Sequence, residues 1–102
     1  MQVISRRTLK LFWDRHPQAE GPLPAWFTVV SNAKWTGPQS VKDHFGATVD
    51  FLADDRLVFD LSGNKYRLVV RVSYRFGRVL VKFVGTHAEY DRIHAGTVSW
   101  RR

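Results

Sequence analysis

The sequence contains no cysteine, which excludes disulfides and thiolate metal sites. It has no apolar run of the ~18 residues that reads as a membrane span. The opening stretch, MQVISRRTLKLFW, has neither a long apolar region nor a small-residue cleavage site, which argues against a signal peptide. No membrane role and a cytoplasmic location are the expectations. Acids are scarce in one place only. Residues 64–102 hold nine Lys/Arg against Glu89 and Asp91, whereas residues 1–63 hold seven of each sign. All of the net charge of +7 therefore lies in the last part of the chain. A uniformly basic protein would not be split in this way, and the split points to a polyanion partner.

What is present suits one small domain, 1–102. The chain is 44% hydrophobic, enough for an ordinary core, and it has no repeat, linker or low-complexity segment. Residues 2–4 read as a short strand. Ser5 offers an N-cap, and Leu9, Phe12, Trp13 and His16 follow at helical spacing until Pro17. GPLP (21–24) opens a second helix, with Trp26, Val29, Val30 and Ala33 on one face and Thr36-Gly37-Pro38 as its end. A shorter helical turn is predicted at 40–45, capped by Ser40. From residue 48 the period becomes two. VDFLA (49–53) and RLVFDL (56–61) flank a hairpin turn at Asp54-Asp55. Ser62-Gly63-Asn64 is the next turn, and strands are predicted at 65–76 and 78–85 around Gly77. A helical stub, 87–93, follows, and the SWRR tail is read as loose. Helices first and hairpin strands second argue an α+β fold, with two to three helices on one face of an antiparallel sheet.

The strand at 65–76 carries the most information. Its even positions, Tyr66, Leu68, Val70, Val72, Tyr74 and Phe76, are apolar. Its odd positions include Lys65, Arg67, Arg71 and Arg75. Alternate side chains point to opposite faces, so one face is apolar and the other carries four cations. The last strand repeats this, with Val79, Val81 and Phe83 apolar and Arg78, Leu80, Lys82, Val84 and Thr86 opposite. A turn centred on Phe76-Gly77 pairs Arg71 with Lys82 and Arg75 with Arg78, and Val70 with Phe83. A bulge would shift this register by two without changing faces. Like charges directly opposite cost about 0.2–1 kcal/mol per pair. A bound anion offsets that cost, and arginine forks suit phosphate. The plain alternative is a solvated charged face that guards against aggregation.

GTHAEYD (85–91) follows. On a helical turn His87, Tyr90 and Asp91 share a side. Histidine can exchange a proton near neutrality. RNA cleavage without metal needs a base for the 2′-OH, an acid for the leaving 5′-oxygen and cations for the phosphorane. His87, Tyr90 and the nearby arginines can supply these. Against this, an isolated histidine at a helix start reads better as a capping or packing residue, Tyr90 reads equally as a core aromatic, and Asp91 suits orienting His87 or capping locally better than acting as a base. His16 reads as structural, and His44 and His94 have no partners in sequence. Trp13 and Trp26 read as core, Trp35 as packing at a helix end, and Trp100 as the one tryptophan placed to stack on a base. No histidine pair has ligand spacing, so no metal and no cofactor are expected.

SGNKYRLVVRVSY (62–74) and VKFVGTHAEYD (81–91) resemble the HigB toxins of bacterial type II toxin–antitoxin systems. The N-terminal VIS-x-x-TLK-x-FW pattern and WTGPQSVK (35–42) are similar too, so the resemblance spans nearly the whole chain. It implies a RelE-like fold and an mRNA interferase, an endoribonuclease often acting on mRNA at the ribosome. It also implies a HigA-type helix-turn-helix antitoxin, bound in a hetero-oligomer. Carried over, it puts Arg67 and His87 at the active site with Tyr90 beside them, and Lys65, Arg71 and Lys82 on a basic RNA-binding face. Arg67→Ala and His87→Gln are expected to abolish cutting with the fold intact. Two other readings stand beside it. One is an RNA- or ribosome-binding translation regulator with no enzymatic activity, in which affinity falls with salt and His87 barely matters. The other is a protein-interaction domain whose basic face docks an acidic partner.

Overall fold

The computed structural model describes residues 1–99. Strand β1 (Gln2–Ile4) leads into helix α1 (Arg6–Arg15). The Ser5 hydroxyl accepts from the Thr8 N–H at 3.3 Å, closing the predicted N-cap. The helix buries Leu9, Phe12 and Trp13 and stops at His16, ahead of Pro17. His16 stacks on Phe12 at 4.3 Å, in keeping with a structural role.

Helix α2 (Pro22–Ser31) opens on a proline at its first position and buries Leu23, Trp26 and Val30. It is shorter than predicted. Asn32 ends it by donating its side-chain amide to the Thr28 carbonyl at 2.9 Å. Ala33 and Trp35 then enter the core from non-helical backbone, while Val29, placed by periodicity on the buried face, is exposed. Helix α3 (Pro38–Phe45) starts earlier than predicted. Gly37, not Ser40, is its N-cap residue, and the Ser40 hydroxyl instead accepts from the Thr36 N–H.

The sheet has the order β1-β5-β4-β3-β2, with β2 (Val49–Phe51), β3 (Arg56–Leu61), β4 (Tyr66–Ser73) and β5 (Arg78–Thr86). These four are antiparallel as predicted, and β1 adds a parallel edge beside β5. Asp54 and Asp55 both take positive φ, 63° and 57°, which is the turn type that matches the twist of a two-residue hairpin. Strand β2 ends at Phe51, short of the predicted Ala53. Strand β4 is also shorter than predicted. Lys65 lies in the preceding turn, and Tyr74 to Gly77 form the next one; Tyr74 still packs partly buried against the core, as expected, whereas Phe76 is exposed.

The three long helices cover one face. Leu9, Phe12, Leu23, Trp26, Val30 and Val41 pack there against Leu57, Phe59, Leu68, Val70, Val72 and Val79. Each such fully buried side chain contributes about 1.5–3 kcal/mol.

One irregularity decides the other face. The pairing shifts between Val69 and Val70: Val69 faces Phe83, but Val70 faces Val81. Lys82 is the extra residue of a bulge. Before it, Val79 and Val81 point to the helices; after it, Val84 does. The shift is by two near the turn but only by one beyond the bulge, so the faces do change. Phe83 moves from the predicted core set to the outer face, and Lys82 and Phe83 lie there together. Arg71 faces Leu80 instead of Lys82, and Arg78 faces Ser73 because Arg75 is in the turn.

Candidate functional site

The outer face is not bare. After β5 comes helix α4 (His87–Tyr90), the stub that the sequence predicted to run further. The chain then returns across the sheet. Arg56, on β3, donates to the Ala95 carbonyl at 3.1 Å and the Val98 carbonyl at 2.7 Å. Beneath this segment Val58 and Val69 are fully buried although they belong to no helix-facing cluster. Arg56 stands directly opposite Arg71 and is itself buried. Sequence reasoning missed it. The signal was its odd position in RLVFDL, on the same side as Val58 and Asp60.

Helix α4 is set by its cap. The Thr86 hydroxyl accepts from the Glu89 N–H at 3.2 Å, and the Glu89 carboxylate accepts from the Thr86 N–H at 2.8 Å. This reciprocal pair holds a four-residue helix that could not form alone. The His87 N–H also donates to the Lys65 carbonyl at 3.2 Å, which ties the helix start to the β3–β4 turn. His87 lies half exposed, with Nδ1 3.2 Å from Asp91 Oδ2. That contact leaves Nε2 as the nitrogen able to meet a substrate. Asp91 therefore sits where the orienting role was expected.

Arg67 faces Gly85 on β5 and Asp60 on β3. Its Nη1 is 2.7 Å from Asp60 Oδ1, and its guanidinium lies 5.1 Å from the Tyr90 ring centre. The ion pair is close but not a paired fork: Arg67 Nε and Asp60 Oδ1 have no well-directed hydrogen bond. Arg67 and Tyr90 thus meet at one end of the sheet, and His87 opens the same short helix that carries Tyr90. Gly85 leaves room for its neighbour: a Cβ there would stand 2.5 Å from the Phe83 ring and 3.2 Å from Glu89 Cβ, so a larger residue would displace that ring.

The remaining cations are divided. Lys65 turns away and donates from Nζ to Gln18 Oε1, on the helix side. It does not join the basic face. Arg71 pairs with Asp54, with 3.1 Å between Nη2 and Oδ1, and also donates to the Asp54 carbonyl. Arg75 and Arg78 flank Phe76 at the far turn. The sequence argument set β4 only against β5 and found no acids. The acids come from β3 and its hairpin, as Asp60 and Asp54. Tyr74, beside Asp55, has its phenol pushed above 10.0, first by burial and then by the Asp55 charge.

His44, without a partner in sequence, accepts from Trp35 Nε1 at 3.2 Å. Trp13, Trp26 and Trp35 are core. Trp100 lies outside the described residues. Among the described residues no three His, Cys, Asp or Glu side chains gather as a metal site would require, and no helix is long and apolar enough to cross a membrane.

Comparison with known proteins bears on this arrangement. A family model described as HigB toxin, RelE-like toxic component of a toxin–antitoxin system, matches residues 19–93. The chain is 29% identical over 92 residues to the mRNA interferase toxin HigB of Escherichia coli strain K12, covering 89% of this chain and 88% of that protein. The same identity and coverage hold for the mRNA interferase HigB of Shigella flexneri. A further mRNA interferase HigB, from Escherichia coli O6:H1, is 23% identical over 94 residues, 91% of each chain.

Proposed function

The chain belongs to the HigB toxins, the RelE-like toxic components of toxin–antitoxin systems, and on that premise we propose that it is an endoribonuclease that cuts messenger RNA. The observation that carries the reading is the placement of His87. It stands half exposed at the start of α4, the four-residue helix whose Tyr90 ring lies 5.1 Å from the Arg67 guanidinium.

In this reading the 2′-hydroxyl loses its proton, its oxygen attacks the adjacent phosphorus, and the 5′-oxygen leaves and takes up a proton. His87 moves a proton through Nε2, while Asp91 fixes the ring at Nδ1. Arg67 counters the extra negative charge of the phosphorane, and Tyr90 holds the guanidinium in place from its ring face. Lys82 and Arg71 continue the path along the same face for the RNA backbone.

The same reading gives the protein a cytoplasmic location, mRNA at the ribosome as its target, and a HigA-type helix-turn-helix antitoxin as its inhibitor. A competing reading, RNA binding without cutting, draws on the fact that Asp60 already neutralises Arg67. Primer-extension mapping of transcripts after brief expression separates the two. Wild type is expected to leave new 5′ ends and His87→Gln to leave none. Equal cleavage by His87→Gln would remove His87 from the mechanism. Translation arrest by both forms, without new ends, would favour binding alone.

A further inference from the structure

Arg75 and Arg78 are the cations that the site leaves unused. Among the described residues neither pairs with a carboxylate, in contrast to Arg67 and Arg71. Both lie against Phe76, with guanidinium carbons 5.4 Å and 5.9 Å from the ring centre. Phe76 is 66% exposed, more than any other large hydrophobic residue described. A single exposed apolar side chain needs no explanation. An exposed ring between two unpaired arginines, on a fixed support, does.

The support is fixed by its backbone. Gly77 takes φ +64°, the Gly77 N–H donates to the Tyr74 carbonyl, and the Phe76 N–H donates to Ser73 Oγ. The Gly77 carbonyl also accepts from the Gln2 N–H at 2.7 Å, which ties the turn to β1. An open groove of about 580 Å³ runs beside the ring. Lys34, Thr36, Tyr74 and Arg75 line it, and no acidic residue does.

We infer that the Phe76 turn is a second RNA-binding element, which stacks one base of a single strand on the ring and holds the flanking phosphates with Arg75 and Arg78. The inference rests on the ribonuclease reading and extends it to a place away from the cut. Every base has a π face, so stacking on an aromatic is tolerant of sequence. Both guanidinium contacts are near the ~6 Å limit of such interactions. A base can therefore take one ring face and release an arginine to a phosphate, which it binds in bidentate fashion. The turn and His87 stand at opposite ends of nine-residue β5, about 30 Å apart at ~3.3 Å per residue. A short RNA can occupy one end only, and a longer strand can occupy both.

The test uses the full chain carrying His87→Gln, so that RNA is bound and not cut. The probes are labelled oligoadenylates of two lengths, one too short to span β5 and one long enough. The readout is the ratio of their affinities. The long probe is expected to bind more tightly, and Phe76→Ala to shrink that advantage about tenfold. Phe76→Trp should keep it. Changing Arg75 and Arg78 together to Gln should lower the salt slope for the long probe by about 1.4, at ~0.7 per phosphate contact. An unchanged ratio in Phe76→Ala overturns the inference. So does a Phe76→Ala chain that binds both probes normally and loses affinity for the antitoxin, since the turn is then a protein contact. Failure of the ribonuclease reading looks different: neither probe binds, and the wild-type chain cuts no RNA.

Discussion

Asp60 and Arg67 face each other across β3 and β4, 2.7 Å apart between Oδ1 and Nη1, and both are mostly buried. The residue best placed to counter a phosphorane is therefore also half of a structural pair. Removing one partner strands the other's charge in a site of low polarity. Arg67→Ala is expected to cost about 2–3 kcal/mol, measured by urea denaturation, rather than leave the fold intact. Removing Asp60 as well, in Arg67→Ala/Asp60→Ala, should recover much of that loss but no RNA cleavage. A double variant as unstable as the single one would show that the pair is not what holds this end together.

Thr86 governs the candidate site in another way. Its hydroxyl and the Glu89 carboxylate cap α4 reciprocally. Thr86→Ala is expected to cost about 1 kcal/mol, and to lower cleavage by more than that loss of stability explains, because His87 and Tyr90 ride on the helix. Thr86→Ser keeps the hydroxyl and should behave like wild type in both assays.

Tyr74 contributes a pH dependence on the alkaline side. Burial and then the Asp55 charge raise its phenol above 10.0. Between that value and the raised one, the unfolded chain has given up the proton and the folded chain has kept it. Stability from this group is complete below the unfolded value and is lost as pH rises through the folded one. Tyr74→Phe should flatten the decline of stability above about pH 10. Asp55→Asn should move the phenolate absorbance midpoint of Tyr74 downward, read as the difference from Tyr74→Phe.

Arg56 fastens the segment that crosses the outer face. It gives two hydrogen bonds to carbonyls of Ala95 and Val98 from a buried position. Arg56→Met keeps much of the bulk and loses both bonds. The expected cost is about 2 kcal/mol. The sharper readout is limited proteolysis, in which cleavage between 92 and 99 should speed up before the rest of the chain is attacked. Unchanged protection there would mean that packing on Val58 and Val69 holds the segment without the arginine.

Much of this was legible in local sequence. Ser5 as a cap, Trp13 and Trp26 as core, the turn at Asp54-Asp55 and the two faces of β4 follow from short-range periodicity and turn chemistry. Those signals act within a few residues. The HigB-like segments around SGNKYRLVV and GTHAEYD named the family, and with it Arg67, His87 and Tyr90. The end of α2 was not legible, because Asn32 and the pull of Ala33 and Trp35 into the core outweighed a helical pattern that continued past them.

The sequence by itself determined that the last strands would be rich in cations and poor in acids, with a histidine directly after them. Only the tertiary structure decided which cations are free. Asp60 meets Arg67 across one hairpin, Asp54 meets Arg71 from the turn before β3, and Gln18 takes Lys65 from a distant part of the chain. One extra residue at Lys82 reassigns Phe83 to the outer face. Strand alternation is a property of neighbouring residues, whereas charge pairing depends on which strands adjoin and in what register, and no local pattern encodes that.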